Sequence, residues 1–411
     1  MLFAIAIFCL LFTYLSFKKF DWAIFIIIAF LPSYLIRFSI LGIPLTLLET
    51  MILIAFLVFL FQHKLSWLKE FRSNPFFWPA LLLLIIAAFS VFISPDISRG
   101  AGIWKAYYLE SIIFYIMLIS TIKSKKQLQN IFIALGISAV YLSLISFWQF
   151  FSGWNMPLAF LNPDGSVDRV VSILGYPNAL GLYLGPIIIL FTGFLLWQKD
   201  TKLFQLLKLA VIALGFITII LAESEAAILS IIGIWFLWGL INKKSRYYFI
   251  ALIILAILVF FFIPQVSDYL LEKLLLQDYS GFIRRLIWQE SFQMLSDNWF
   301  FGAGLAGYQT RIAPYHLPTF EIFLYPHNII LNFWSELGLM GLLVFVFIFA
   351  KFLWKNLKSY LKNKNNLLNL TLFLVIIQML IHGLVDAPYL KNDLSVLFWI
   401  IIAIYTINKN T

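Results

Sequence analysis

Apolar residues in this chain come in long runs separated by short polar clusters. A helix needs about 20 predominantly apolar residues to cross the hydrocarbon layer of a bilayer. The pattern predicts thirteen spans, at roughly 2–17, 22–41, 45–61, 76–93, 103–121, 128–151, 179–197, 203–222, 226–241, 247–263, 328–350, 367–384 and 394–407. The first run is short and the fifth contains Lys105 and Glu110, so twelve is the alternative count. The expected fold class is all-α: a polytopic transmembrane helix bundle of 12–13 spans, forming one integral membrane domain over 1–411. The chain shows no internal repeat, low-complexity tract or soluble domain. Its N-terminus lacks the basic region and small-residue cleavage site of a signal peptide, so 2–17 reads as a retained span.

Two breaks between runs are long, at 152–178 and 264–327. Long loops between tightly connected spans commonly carry function. The second loop is expected to contain a helix from Ile283 to Leu295, ended by Asp297-Asn298 and by Gly302, Gly304 and Gly307.

Composition agrees with the pattern. Hydrophobic residues make up 63% of the 411 and charged residues 12%, with a mean hydropathy of +0.96. A soluble domain is about half apolar and about a quarter charged. The lone cysteine, Cys9, lies in the first run and forms no intrachain disulfide. A net charge of +10 suggests nucleic acid only until the charges are located. Twenty of the 29 Lys and Arg fall in alternate loops, among them Lys18, Lys19, Lys64, Lys123, Lys199, Lys243 and Lys358. That bias makes those loops cytoplasmic, and nucleic acid is not an expected partner. The other nine cations are Arg37, Arg99, Lys105, Arg169, Lys273, Arg284, Arg285, Arg311 and Lys391. Both long loops are then external, with arginines on the face where topology disfavours them.

Several external residues are candidates for chemistry. Arg284 and Trp288 are four apart and share a helix face, while Arg285 points about 100° away. The plain alternative is an interfacial helix whose arginines meet lipid phosphates. His327 and Asn328 stand at the outer start of a span, where His327 is either catalytic or part of a cap, the imidazole or Asn328 satisfying the free amides. Glu336 follows about 13 Å deeper at 1.5 Å per residue, where an ionisable group is a pairing or functional site. Asp168-Arg169 precedes the Pro177-Asn178 turn and could be a bland surface pair. His382 and Asp386, four apart at an outer helix end, face the site or cap each other. His63 falls in a cytoplasmic loop, and no motif supports His316. No Cys or His spacing suggests a metal, and no phosphate loop or Ser-His-Asp order stands out, so no cofactor is expected.

Three segments occur in order: RVVSILGYPNALG at 169–181, RRLIWQESFQMLSDNWFFGAGLAGYQ at 284–309 and YPHNIILNFWSELGLMG at 325–341. Together they resemble the O-antigen ligase and O-antigen polymerase superfamily. The resemblance covers about 165–345 by motif, and span count and the large loop extend it loosely to the whole chain. It implies a glycosyltransferase that moves a glycan from undecaprenyl diphosphate to a lipid or sugar acceptor at the outer face of the bacterial cytoplasmic membrane, without a metal and with inversion. By motif position, it implies that Arg169 and Arg284, with Arg285 as the adjacent register, bind the diphosphate and that His327 activates the acceptor hydroxyl. Asn178, Asn328, Glu336, His382 and Asp386 would support them. One departure is Ser224-Glu225-Ala226, where family members often carry Ser-Arg-Gly.

Physical chemistry supports the same reading. No nucleotide-activated sugar is supplied outside the membrane, so transfer there needs a pre-activated, membrane-tethered donor. Guanidinium grips phosphate oxygens through two parallel bonds and stabilises charge building on a leaving diphosphate. A histidine can take the acceptor's proton. Ligase and polymerase differ only in the acceptor. A transporter or flippase for lipid-linked glycan would use charges such as Arg37 and Glu49 along a pathway, but paired repeats with broken helices are absent from the sequence.

Overall fold

The structure, a computed structural model, describes residues 2–40, 42–63, 66–197, 201–318 and 320–410. Lys64 and Lys199, two of the loop cations, lie outside them. Each apolar run becomes a helix, with bounds near those the pattern predicts: Leu2–Lys18, Phe20–Ala29, Leu47–His63, Phe77–Ile93, Ile97–Thr121, Lys125–Ser152, Pro177–Trp197, Lys202–Leu221, Glu225–Ile241, Arg246–Phe262, Ile329–Lys362, Leu367–Gly383 and Asn392–Asn410. By length and composition five of these could cross a membrane alone, or up to seven if two bent helix pairs each count as one span; five more are apolar and 10–17 residues long. The chain is a multi-pass helical membrane protein.

Three runs depart from simple spans. The run at 22–41 stops being α-helical at Ala29, because Pro32 cannot continue the ladder. It proceeds as a 3-10 turn over Leu31–Leu35 and then a hairpin, with Arg37–Ile40 antiparallel to Ile43–Thr46. The fifth run is one span of 25 residues, Ile97–Thr121, with a π-helical turn over Trp104–Leu109. Lys105 within it is ion-paired to Glu49 of the neighbouring helix, which explains how a lysine is tolerated there. The run from 328 continues to Lys362 as a helix broken at Gly338 (φ 68°, ψ −175°).

Helix Pro177–Trp197 packs against Lys202–Leu221 and Leu367–Gly383. Asn392–Asn410 is buried along most of its length and packs on Glu110–Thr121. Ile329–Lys362 lies between Phe77–Ile93 and Leu367–Gly383. Helix Arg246–Phe262 buries none of its side chains and then bends by 100° into the segment from Pro264.

That segment folds on the N-terminal part of Ile329–Lys362. It contains helices Pro264–Leu274, Tyr279–Asp297 and Tyr308–Ile312, so the predicted 283–295 helix is present and starts a turn earlier. Met294, Leu295, Ala303, Tyr308, Ile312 and Leu331 form a second, small core. The stretch 300–307 plugs the break at Gly338. The Ala303 N–H bonds the Ser335 carbonyl at 2.5 Å, and the Leu339 N–H bonds the Phe300 carbonyl at 3.0 Å. Ser90 donates to the freed Glu336 carbonyl. The joint therefore satisfies backbone groups that the kink takes out of the helical ladder. Only glycine fits here: at Gly338 a Cβ would lie 2.1 Å from the Phe300 oxygen, and at Gly302 (φ 68°) 2.4 Å from the Ser335 oxygen.

Candidate functional site

His327 and Asp386 meet across two loops. His327 precedes helix Ile329–Lys362, and Asp386 follows helix Leu367–Gly383. The separation from His327 Nδ1 to Asp386 Oδ1 is 3.5 Å, longer than a hydrogen bond and within reach of a charge contact. Asp386 is 2% exposed, and its Oδ1 accepts the Ala387 N–H at 2.8 Å. Burial works to raise the Asp386 pKa. The contacts with His327, His382 and the Ala387 amide more than offset it, so the carboxylate is held below its usual range. Tyr325 also lies against Asp386, and it is within electrostatic range of Tyr176 in the Arg169 loop.

Helix Tyr279–Asp297 fixes both loops. Arg284 Nε donates to the Val385 carbonyl at 3.2 Å, and Trp288 Nε1 donates to the Pro326 carbonyl at 3.0 Å. The shared face of residues four apart thus grips the residue before Asp386 and the residue before His327. Asn328 Nδ2 adds a bond to the Leu384 carbonyl at 2.9 Å. The Asn328 Oδ1 accepts the N–H groups of Ile330 and Leu331 at 3.0 and 3.1 Å. Asn328 is therefore the helix cap, worth about 1 kcal/mol, and the imidazole of His327 is not used for capping.

Arg169 stands on a second anchor. Its Nε donates to the Ala222 carbonyl at 3.0 Å, and its Nη2 to Asn178 Oδ1 and the Glu223 carbonyl, both at 3.3 Å. The residues that follow are buried and pinned by Gln149, whose side chain bonds the Val171 N–H and the Ser172 carbonyl. The bland pairing of Arg169 with Asp168 is not what the structure has. The acceptors on Arg169 and on Arg284, which also bonds Ser280 Oγ at 2.7 Å, are uncharged. A guanidinium held by neutral oxygens is positioned without being neutralised, which suits an anionic ligand.

Three non-glycine residues with left-handed backbone occur beside these groups: Ser172 (φ 51°), Glu223 (φ 49°) and His327 (φ 46°). Such residues cost roughly 1–3 kcal/mol each and cluster where geometry matters.

The remaining candidates separate. Arg285 diverges from Arg284, lies over the Phe282 ring at 5.9 Å and lines an open groove of about 540 Å³ with Trp288, Gln289 and Phe292. Glu336 is buried at the plugged kink, two turns below His327, and feels the charge of Arg99. His382 is buried and within electrostatic range of both Asp386 and Arg284. His316 is engaged by Glu290 at 3.2 Å and the Phe320 carbonyl at 2.7 Å. Glu225, the residue where the motif departs, pairs with Lys273 at 2.9 Å. Sequence reasoning missed the roles of Gln149 and Trp288 as clamps; Trp288 had only its spacing to signal it.

Comparison with known proteins adds two findings. The family model described as O-antigen ligase matches residues 209–346, a span holding Arg284, His327 and Glu336 but not Arg169. The O-antigen ligase of Salmonella typhimurium (strain LT2) is 23% identical over 309 residues, covering 71% of this chain and 72% of that protein. Both are similarities to O-antigen ligases: one over the stretch that holds Arg284 and His327, the other over most of the chain.

Proposed function

From its similarity to O-antigen ligases, we propose that the chain transfers a glycan from undecaprenyl diphosphate to a lipid or sugar acceptor at the outer face of the cytoplasmic membrane. The observation that carries this reading is the joint held by helix Tyr279–Asp297: Arg284 anchored beside Asp386, with the His327–Asp386 contact of 3.5 Å in the same frame.

In this reading Arg169 and Arg284 hold the diphosphate from two sides. His327 Nε2 takes the proton from the acceptor hydroxyl as its oxygen attacks the anomeric carbon. The glycosidic bond to phosphate breaks, and undecaprenyl diphosphate leaves with the electron pair. The arginines stabilise the charge gathering on it. Asp386 stabilises the imidazolium formed and orients the ring, as a buried carboxylate can. Attack opposite the leaving group inverts the anomeric centre. Arg285 serves the neighbouring groove rather than the diphosphate, and Glu336 supports the kink.

The test is transfer in proteoliposomes supplied with undecaprenyl-diphosphate glycan. Glycan attached to a lipid acceptor is the expected product. Donor glycan joined to itself would indicate a polymerase. Donor moved across the bilayer with no new glycosidic bond would defeat the proposal in favour of a flippase.

A further inference from the structure

The two guanidiniums stand on different parts of the bundle, Arg169 on the 222–223 turn and Arg284 on a helix of the 264–327 segment. Their spacing depends in part on what ties that segment to that turn, and Lys273 is one such tie, with Tyr269 beside it. Lys273 Nζ lies 2.9 Å from Glu225 Oε1 and 3.0 Å from Asp278 Oδ2. Glu225 opens helix Glu225–Ile241, two residues after the Glu223 carbonyl that holds Arg169. Asp278 is the N-cap of helix Tyr279–Asp297, accepting the Gly281 N–H at 3.3 Å, and that helix carries Arg284. Tyr269 adds its hydroxyl to Glu225 at 3.5 Å and its ring face to Lys273 at 5.8 Å. Arg169 is thereby linked to Arg284 through the Glu223–Glu225 turn, the contacts of Lys273 with Glu225 and Asp278, and the first turns of helix Tyr279–Asp297.

We propose that Lys273 is a positioning residue that sets the distance between Arg169 and Arg284, through Glu225 on one side and Asp278 on the other, and so fixes the site for a polyprenyl diphosphate. This rests on the functional reading above. One ammonium facing two carboxylates leaves no charge for the donor, so Lys273 acts through the arginines and not on phosphate. Segment Pro264–Leu274 buries no side chain, so apolar packing does little to hold it in place. Directed charge contacts must then supply the register, and these are only partly screened at this exposure. Loss of the latch should loosen ground-state grip on the donor while leaving His327 and Asp386, whose loops Asn328 joins through the Leu384 carbonyl, in place.

The test compares Lys273→Met, which keeps the stem and removes the charge, with Lys273→Arg, which keeps the charge. In proteoliposomes, Lys273→Met should raise the donor KM by about threefold to tenfold, the scale of two partly exposed ion pairs, with kcat nearly unchanged. Lys273→Arg should return KM toward wild type. Spin labels at Leu229 and Gln293, in a Cys9→Ser background, give a readout free of activity. Their distance distribution should broaden in Lys273→Met and narrow again in Lys273→Arg. An unchanged KM and distance in Lys273→Met, or a fall in kcat alone, overturns the proposal. If the wild type transfers nothing from any polyprenyl diphosphate, the functional reading fails, and the distance measurement still decides whether Lys273 is the latch.

Discussion

At the scale of single residues, His327 is set apart by what it does not do. Asn328 caps the helix and Trp288 holds the preceding carbonyl, so the imidazole is left facing Asp386. Asp386→Asn should lower kcat by at least about tenfold, since a general base contributes ~10²–10⁴ and loses much of that when its counter-charge is removed. Asp386 is held below the usual carboxylate range, so its charge is lost only in acid, as pH falls through that lowered value; in a pH profile, transfer should lose the Asp386 contribution there and not near neutrality. Trp288→Phe removes one hydrogen bond of about 1 kcal/mol and should slow transfer several-fold with the fold retained. His327, Asn328 and the arginines were legible from their motifs. The pairing of His327 with Asp386 was not, because it spans 59 positions and depends on how two helix ends pack.

At the scale of elements, two motifs that look separate in sequence are one joint. The glycines at 302 and 304 and the Glu336-x-Gly338-x-x-Gly341 stretch meet where 300–307 enters the kinked helix. Gly338→Ala should destabilise the protein by about 1–3 kcal/mol from backbone strain alone, and by more if Phe300 cannot move. A thermal-shift measurement in detergent checks this, with Gly102→Ala as control, since a Cβ at Gly102 meets nothing within 4 Å. Helix positions came directly from apolar runs, since a bilayer-length helix leaves a signal over many residues. The 37–46 hairpin and the π-helical turn at 104–109 did not. Pro32 marked where the second helix would fail, but pairing between strands is a tertiary choice. The charge of Lys105 pointed to trouble in the fifth span without revealing its resolution by Glu49.

At the scale of the whole molecule, the distribution of lysine and arginine assigns sides to the bundle. Ser296 and Lys244 are both exposed and fall on opposite sides by that assignment. In a Cys9→Ser background, an impermeant maleimide applied to cells with a permeabilised outer layer should label Ser296→Cys directly. Lys244→Cys should react only after the inner membrane is opened; the reverse pattern would invert the topology and place the candidate site in the cytoplasm. The central claim is that the arginines bind the donor and His327 performs the proton transfer. The most direct measurement is donor binding and glycan transfer side by side in reconstituted His327→Ala and Arg284→Ala. The account predicts that His327→Ala binds undecaprenyl-diphosphate glycan within about threefold of wild type while transfer is lost, as for a group acting only in the transition state, and that Arg284→Ala loses binding. Transfer persisting at a wild-type rate in His327→Ala would contradict it.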